Sequence, residues 1–88
     1  MNSVLIYTTR FCPYCVRAKD LLDSKEIVYQ EIAVDNSIPL RQEMMKLSGG
    51  YTVPQIFIND KPIGGCDELY ALESNGQLDQ ILVKKTQA

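Results

Sequence analysis

Val4-Leu5-Ile6-Tyr7 is β-branched, aromatic and apolar, and it reads as a strand buried on both faces, hence central in a sheet. Cys12-Pro13-Tyr14-Cys15 follows a few residues later. Pro13 is tolerated at the first position of a helix and disfavoured inside one, so it opens a helix over about residues 13 to 24. Cys15, Ala18 and Leu22 then share its apolar side at i, i+3, i+7, while Lys19, Asp20 and Asp23 fall largely outward. A strand that leads to a cysteine pair at the mouth of a helix leaves few architectures open. The helix must pack back on the sheet, and a next strand in that sheet must run parallel to the first.

That next strand is the β-rich run Ile27-Val28-Tyr29-Gln30-Glu31-Ile32-Ala33-Val34. Asn36, Ser37 and Pro39 supply helix-start chemistry. Leu40, Met44 and Leu47 repeat at i, i+4, i+7 before Ser48-Gly49-Gly50 stops the helix. Val53 to Ile58 and Lys61-Pro62-Ile63 read as two short strands around an Asn59-Asp60 turn, with Pro62 placing the second at a sheet edge. Gly64-Gly65 breaks the chain. Asp67 and Glu68 suit the first turn of a helix through Leu69 and Leu72, ended by Asn75-Gly76. A last helix carries Leu78, Ile81 and Leu82, with Lys84 and Lys85 at its C-terminal end. The element order β-α-β-α-β-β-α-α makes an α/β fold: a four-stranded mixed sheet flanked by helices, the thioredoxin-like arrangement. Eighty-eight residues, 45% apolar and 23% charged, fill one domain spanning 1–88 and leave no room for a second.

Charge and residue usage exclude several function classes. A net charge of −2 and a pI near 4.9 argue against a nucleic-acid footprint. The absence of histidine removes the commonest general base and every Cys-His or Ser-His pair. The N-terminal residues from Met1 and Asn2 onward carry no positive region and only a short apolar run, so neither a signal peptide nor a membrane span is expected, and a cytoplasmic protein is. Three cysteines fit poorly with a secreted disulfide framework. In a reducing compartment a close pair is catalytic or metal-binding more often than structural.

At a helix start, the Cys12 sulfur meets backbone N–H groups that lack intrahelical partners and the positive end of the helix dipole. Both favour thiolate over thiol. A free thiol of pKa ~8.5 is only a few per cent ionised at neutral pH, whereas CxxC thiols at helix starts ionise at roughly 3.5 to 7. Arg10, two residues upstream, is a candidate for added positive charge. Cys15, one turn further and on the apolar side, is placed to attack a mixed disulfide formed at Cys12. A structural zinc site needs two more ligands, and only Cys66 remains, so no metal is expected. Cys66 beside Gly64-Gly65 reads as a small buried hydrophobe. Tyr14 reads either as a surface ring or as a gate beside the sulfur.

Cys12-Pro13-Tyr14-Cys15, Thr52-Val53-Pro54 and Gly64-Gly65-Cys66-Asp67-Glu68-Leu69 together resemble the glutaredoxins, specifically the short bacterial dithiol type. The likeness covers nearly the whole chain. It implies a glutathione-dependent thiol-disulfide oxidoreductase in which Cys12 attacks a glutathionylated disulfide and a second glutathione releases it. With protein disulfides, such as that of ribonucleotide reductase, Cys15 also takes part. Glutathione is implied as co-substrate. The family's cis proline aligns with Pro54, and Val53 offers main-chain N–H and C=O to the cysteine part of glutathione, with Thr52 beside it. Asp67 and the N–H groups after Gly65, with Cys66 among them, match the place of the γ-glutamyl end. Arg41 aligns with the position that holds the glycyl carboxylate, and Tyr14 lines the groove.

Two departures mark this chain. Thr9 stands where many members carry Lys, and Gly50-Tyr51 replaces a basic residue sometimes found before Thr-Val-Pro, which together imply a weaker hold on glutathione. Two rival readings are a thioredoxin-type reductant and a carrier in which two chains and two glutathiones share an iron-sulfur cluster. Pro13 lacks an N–H and stiffens the motif, and the resemblance implies that a proline there disfavours the cluster. A monomer is expected, with no nucleic-acid or membrane partner.

Overall fold

The computed structural model describes residues 3–86, with side chains through residue 82. Met1, Asn2 and the side chains of Lys84 and Lys85 lie outside the described residues. The elements are β1 (Val4–Thr8), α1 (Pro13–Ser24), β2 (Gln30–Ala33), α2 (Ile38–Ser48), β3 (Gln55–Ile58), β4 (Lys61–Gly64), α3 (Cys66–Ser74) and α4 (Gln77–Thr86). The strands form one sheet in the order β2-β1-β3-β4. β1 pairs parallel with β2 (Tyr7 opposite Ile32) and antiparallel with β3 (Ile6 opposite Ile56). The mixed sheet and element order agree with the thioredoxin-like reading.

Because strand side chains alternate, β1 serves two cores. Val4 and Ile6 join Ala18, Leu22, Ile56, Ile58, Leu69 and Leu78 under α1, α3 and α4. Tyr7 faces the other way, edge-on to Phe57 with 5.8 Å between ring centroids, and packs with Val34 and Met44 under α2. Ser37 caps α2 by accepting the Leu40 N–H at 3.3 Å, and Gly49 closes it in the left-handed conformation (φ +77°).

The structure corrects the sequence reading in three places. The second strand is Gln30–Ala33, not 27–34: Glu26 turns the chain at φ +56°, Val28 is exposed, and Ile27 and Tyr29 pack on the first core without joining the ladder. Leu47 is exposed, because only Met44 of α2 is fully buried, with Leu40 half-covered beside it. The third strand starts at Gln55, since Val53 and Pro54 form a separate loop. At the hairpin, Asn59 and Asp60 both take positive φ (+53° and +68°), the geometry an Asn-Gly pair would otherwise supply. Pro62 sits opposite Phe57 on β4, an edge strand as expected.

Candidate active site

Cys12 is the N-cap of α1, with extended backbone (φ −126°, ψ 105°) and Pro13 behind it. Its sulfur accepts the Cys15 N–H at 3.2 Å, replacing a partner the first helical turn lacks. As a thiol it points at the Val53 carbonyl oxygen, 3.7 Å away. Val53 in turn precedes Pro54 through a cis peptide bond. The three cysteines are unpaired in this dithiol form, with Cys12 half-buried and the other two buried.

Cys15 has the opposite environment, at 1% exposure among core residues. Burial, followed by its hydrogen bond to the Cys12 sulfur, pushes its thiol from the ordinary 9.0 up to about 12. It is therefore held protonated at neutral pH. Cys66 is 4% exposed and belongs to the first core, and burial pushes its thiol up as well. That agrees with its reading as a small buried hydrophobe.

A groove of about 390 Å³ runs past the pair, lined by Tyr14, Thr52, Val53, Pro54, Gly65, Cys66, Asp67 and Glu68. Six of these were expected as glutathione contacts from the sequence: Tyr14, Thr52, Val53, Pro54, Cys66 and Asp67. Arg41 was also expected there, but it sits half-buried on α2 and does not line the groove. Glu68 was missed as a lining residue. Its Oε1 accepts the Gly65 N–H at 2.8 Å, half of a capping box at the start of α3. The signal was its place at the third residue of the helix. Gly65 lets this helix start approach Pro54, for a Cβ there would lie 3.2 Å from the Pro54 carbonyl oxygen. Arg10 gives its guanidinium to Asp35 at 2.9 Å, and its own N–H reaches the same oxygen at 3.3 Å. It thereby ties the loop before Cys12 to the end of β2. Among the described residues no group of three or more His, Cys, Asp or Glu is gathered to hold a metal, and no helix is long and apolar enough to cross a membrane.

A thiol-capped helix beside a cis-proline loop is matched by sequence comparison: the family model for glutaredoxin covers residues 4–63. The chain belongs to the glutaredoxin family. Glutaredoxin 3 of Escherichia coli K12 is 55% identical over 93% of this chain and 99% of its own length. The glutaredoxin of Pseudomonas aeruginosa PAO1 is 52% identical over 93% and 98%. Among solved structures, the buckwheat glutaredoxin-glutathione complex superposes with a TM-score of 0.86 at 31% identity, covering 94% of this chain and 78% of that one. The solution structure of the Brucella melitensis glutaredoxin gives 0.81 at 51% identity, covering 91% and 87%. As a glutaredoxin, the chain is a thiol-disulfide oxidoreductase, dependent on glutathione.

Proposed function

We propose that this glutaredoxin reduces glutathione mixed disulfides and protein disulfides, that of ribonucleotide reductase among them, as a single-domain monomer in the cytoplasm. The observation that carries the reading is the asymmetry of the pair: Cys12 is half-buried with its sulfur on the Cys15 N–H, and Cys15 is buried as a thiol. Cys12 is the attacking sulfur. Its thiolate attacks the glutathione sulfur of a mixed disulfide, the S–S electron pair leaves on the other sulfur, and that sulfur takes up a proton. A second glutathione thiolate then attacks the glutathione sulfur on Cys12, so glutathione disulfide departs and the Cys12 thiolate returns. With a protein disulfide, Cys15 attacks Cys12 instead, and the resulting Cys12–Cys15 disulfide is reopened by two glutathiones.

Glutathione lies in the groove, and the buckwheat neighbour, a glutaredoxin-glutathione complex, supports glutathione as the ligand. Val53 pairs main chain to main chain with its cysteinyl part, flanked by Thr52, Tyr14 and Cys66. The free N–H groups at the start of α3 receive the γ-glutamyl carboxylate, and Asp67 the ammonium. Arg41, outside the groove lining on α2, is assigned to the glycyl carboxylate by the family resemblance, its planar guanidinium being suited to two carboxylate oxygens.

The test is glutathione-coupled reduction of a small glutathione mixed disulfide by the parent protein, Cys12→Ser and Cys15→Ser. Loss of turnover in Cys12→Ser with substantial turnover in Cys15→Ser is expected. Inactivity of all three proteins would overturn the glutathione chemistry.

A further inference from the structure

Beside the cysteine pair, α1 and β2 are joined by a polar cluster that the reaction above does not use. Lys19 follows Cys15 by four residues on α1, so the two side chains share a flank of the helix. Its ammonium donates to Glu31 Oε2 at 3.0 Å, and the Thr8 hydroxyl donates to that same oxygen at 2.7 Å. Thr8 is 1% exposed and ends β1, and the backbone of the next residue, Thr9, favours a negative charge on the Cys15 sulfur. The cluster thus lies along the flank of α1 that carries the resolving thiol, against the end of the strand that leads to it.

The ion pair gains little as a stability device. Its side chains are 28% and 37% exposed, and pairs so open to water are worth at most about 1 kcal/mol. Its position beside a buried sulfur has a sharper consequence. Burial opposes a negative charge at Cys15, the Cys12 sulfur opposes it too, and the Thr9 backbone and then the Lys19 ammonium favour it. The hydrogen bond to Glu31 favours the charged form of Lys19.

We infer that Lys19, fixed by Glu31 and Thr8, is a positioning residue that stabilises the Cys15 thiolate as it forms and so sets the rate of the resolving step. The inference rests on the proposed dithiol cycle. In that step the Cys15 sulfur attacks the Cys12 sulfur of Cys12–S–S–R, a Cys12–Cys15 disulfide forms, and the electron pair of the old bond leaves on the R sulfur. The proton given up by Cys15 ends on that departing sulfur as R–SH. Lys19 remains an ammonium throughout, and no outside oxidant or reductant enters.

The test mixes reduced protein rapidly with glutathione disulfide, which releases one glutathione when Cys12 attacks and a second when Cys15 resolves. The second release is followed against pH in the parent protein, Lys19→Met, Lys19→Arg and Glu31→Gln. Each tenfold loss of Cys15 thiolate leaves the remaining thiolate about threefold more nucleophilic, so a slowing of up to about threefold is expected for Lys19→Met. Its second phase also becomes fast only at higher pH. Lys19→Arg restores both rate and profile, and Glu31→Gln, which keeps the cation but unfastens it, is intermediate. An unchanged second phase in both Lys19→Met and Glu31→Gln would sink the inference, as would a Lys19→Arg protein as slow as Lys19→Met. Absence of the first phase from the parent protein would instead overturn the proposed function.

Discussion

The backbone N–H of Cys15 lies 3.2 Å from the sulfur of Cys12, so one turn of α1 treats its two thiols in opposite ways. It gives a main-chain donor to the first and encloses the second at 1% exposure. The division follows from helix geometry. An N-cap side chain folds back on the first turn, and a residue three positions on points into the apolar face.

Alkylation should therefore be selective. Iodoacetamide at pH 7 is expected to modify the native dithiol protein at Cys12 alone, while Cys15 and Cys66, at 1% and 4% exposure, react only after denaturation. Peptide mass spectrometry reads the sites. A native adduct on Cys15 would show that its burial is not maintained in solution.

Stability should fall on the alkaline side. A thiol whose folded pKa lies above its unfolded value adds stability that is fully present below the unfolded value and lost as pH rises through the folded one. For Cys15 that window runs from 9.0 to about 12, and Cys66, Tyr7 and Tyr29 shift in the same direction through burial. Glu31 has the opposite sign: the Thr8 hydroxyl, then Lys19, hold its carboxyl below the usual range, so its contribution is lost in acid. The urea midpoint of the dithiol protein should hold from about pH 6 to 8 and decline above about pH 9. Cys15→Ser should flatten that decline, and an equally steep fall in this variant would remove Cys15 as its source.

Leu22 is fully buried between α1 and the sheet, and truncation leaves a cavity that the neighbouring Ile6, Ile56 and Leu69 cannot close. Leu22→Ala should cost about 3 kcal/mol, which in a domain of this size lowers Tm by roughly 12 to 24 °C. Calorimetry measures it. A drop of only a few degrees would mean that the core collapses onto the vacated space.

Most elements were legible because their signals are local. Apolar period, Pro13, Ser37 and the glycines at 49, 64, 65 and 76 act within one or two turns of the chain. What escaped depends on neighbours far away in sequence. Ile27, Val28 and Tyr29 have strand-like composition, yet β2 is an edge strand whose ladder with β1 begins only where Gln30 meets Leu5. Leu47 keeps helical period with Leu40 and Met44 but falls beyond the surface that the sheet covers. At the site, the cysteine pair and the groove walls were readable from three motifs. The Thr8–Glu31–Lys19 cluster was not, since it arises only when β2 lies beside β1 under α1. Lys19 read simply as an outward charge.

Adjacent glycines at the entrance to α3 should separate stability from binding. Gly64 has φ +118°, where side chains are strained, and a Cβ there would meet Glu68 Cγ at 2.8 Å and Cβ at 3.0 Å. Gly64→Ala should cost about 1–3 kcal/mol through that backbone conformation and through the displaced Glu68 cap. Gly65 has an ordinary φ of −101°, so its substitution strains nothing locally. Its new Cβ would instead press at 3.2 Å on the Pro54 carbonyl oxygen and move the helix start away from the groove's opposite wall. Gly65→Ala should raise the KM for glutathione several-fold while the thermal midpoint changes little. Paired calorimetry and glutathione titrations check both. If Gly65→Ala lost stability as Gly64→Ala does and kept its KM, the contact with Pro54 would be a packing contact, and the groove's width would be set elsewhere.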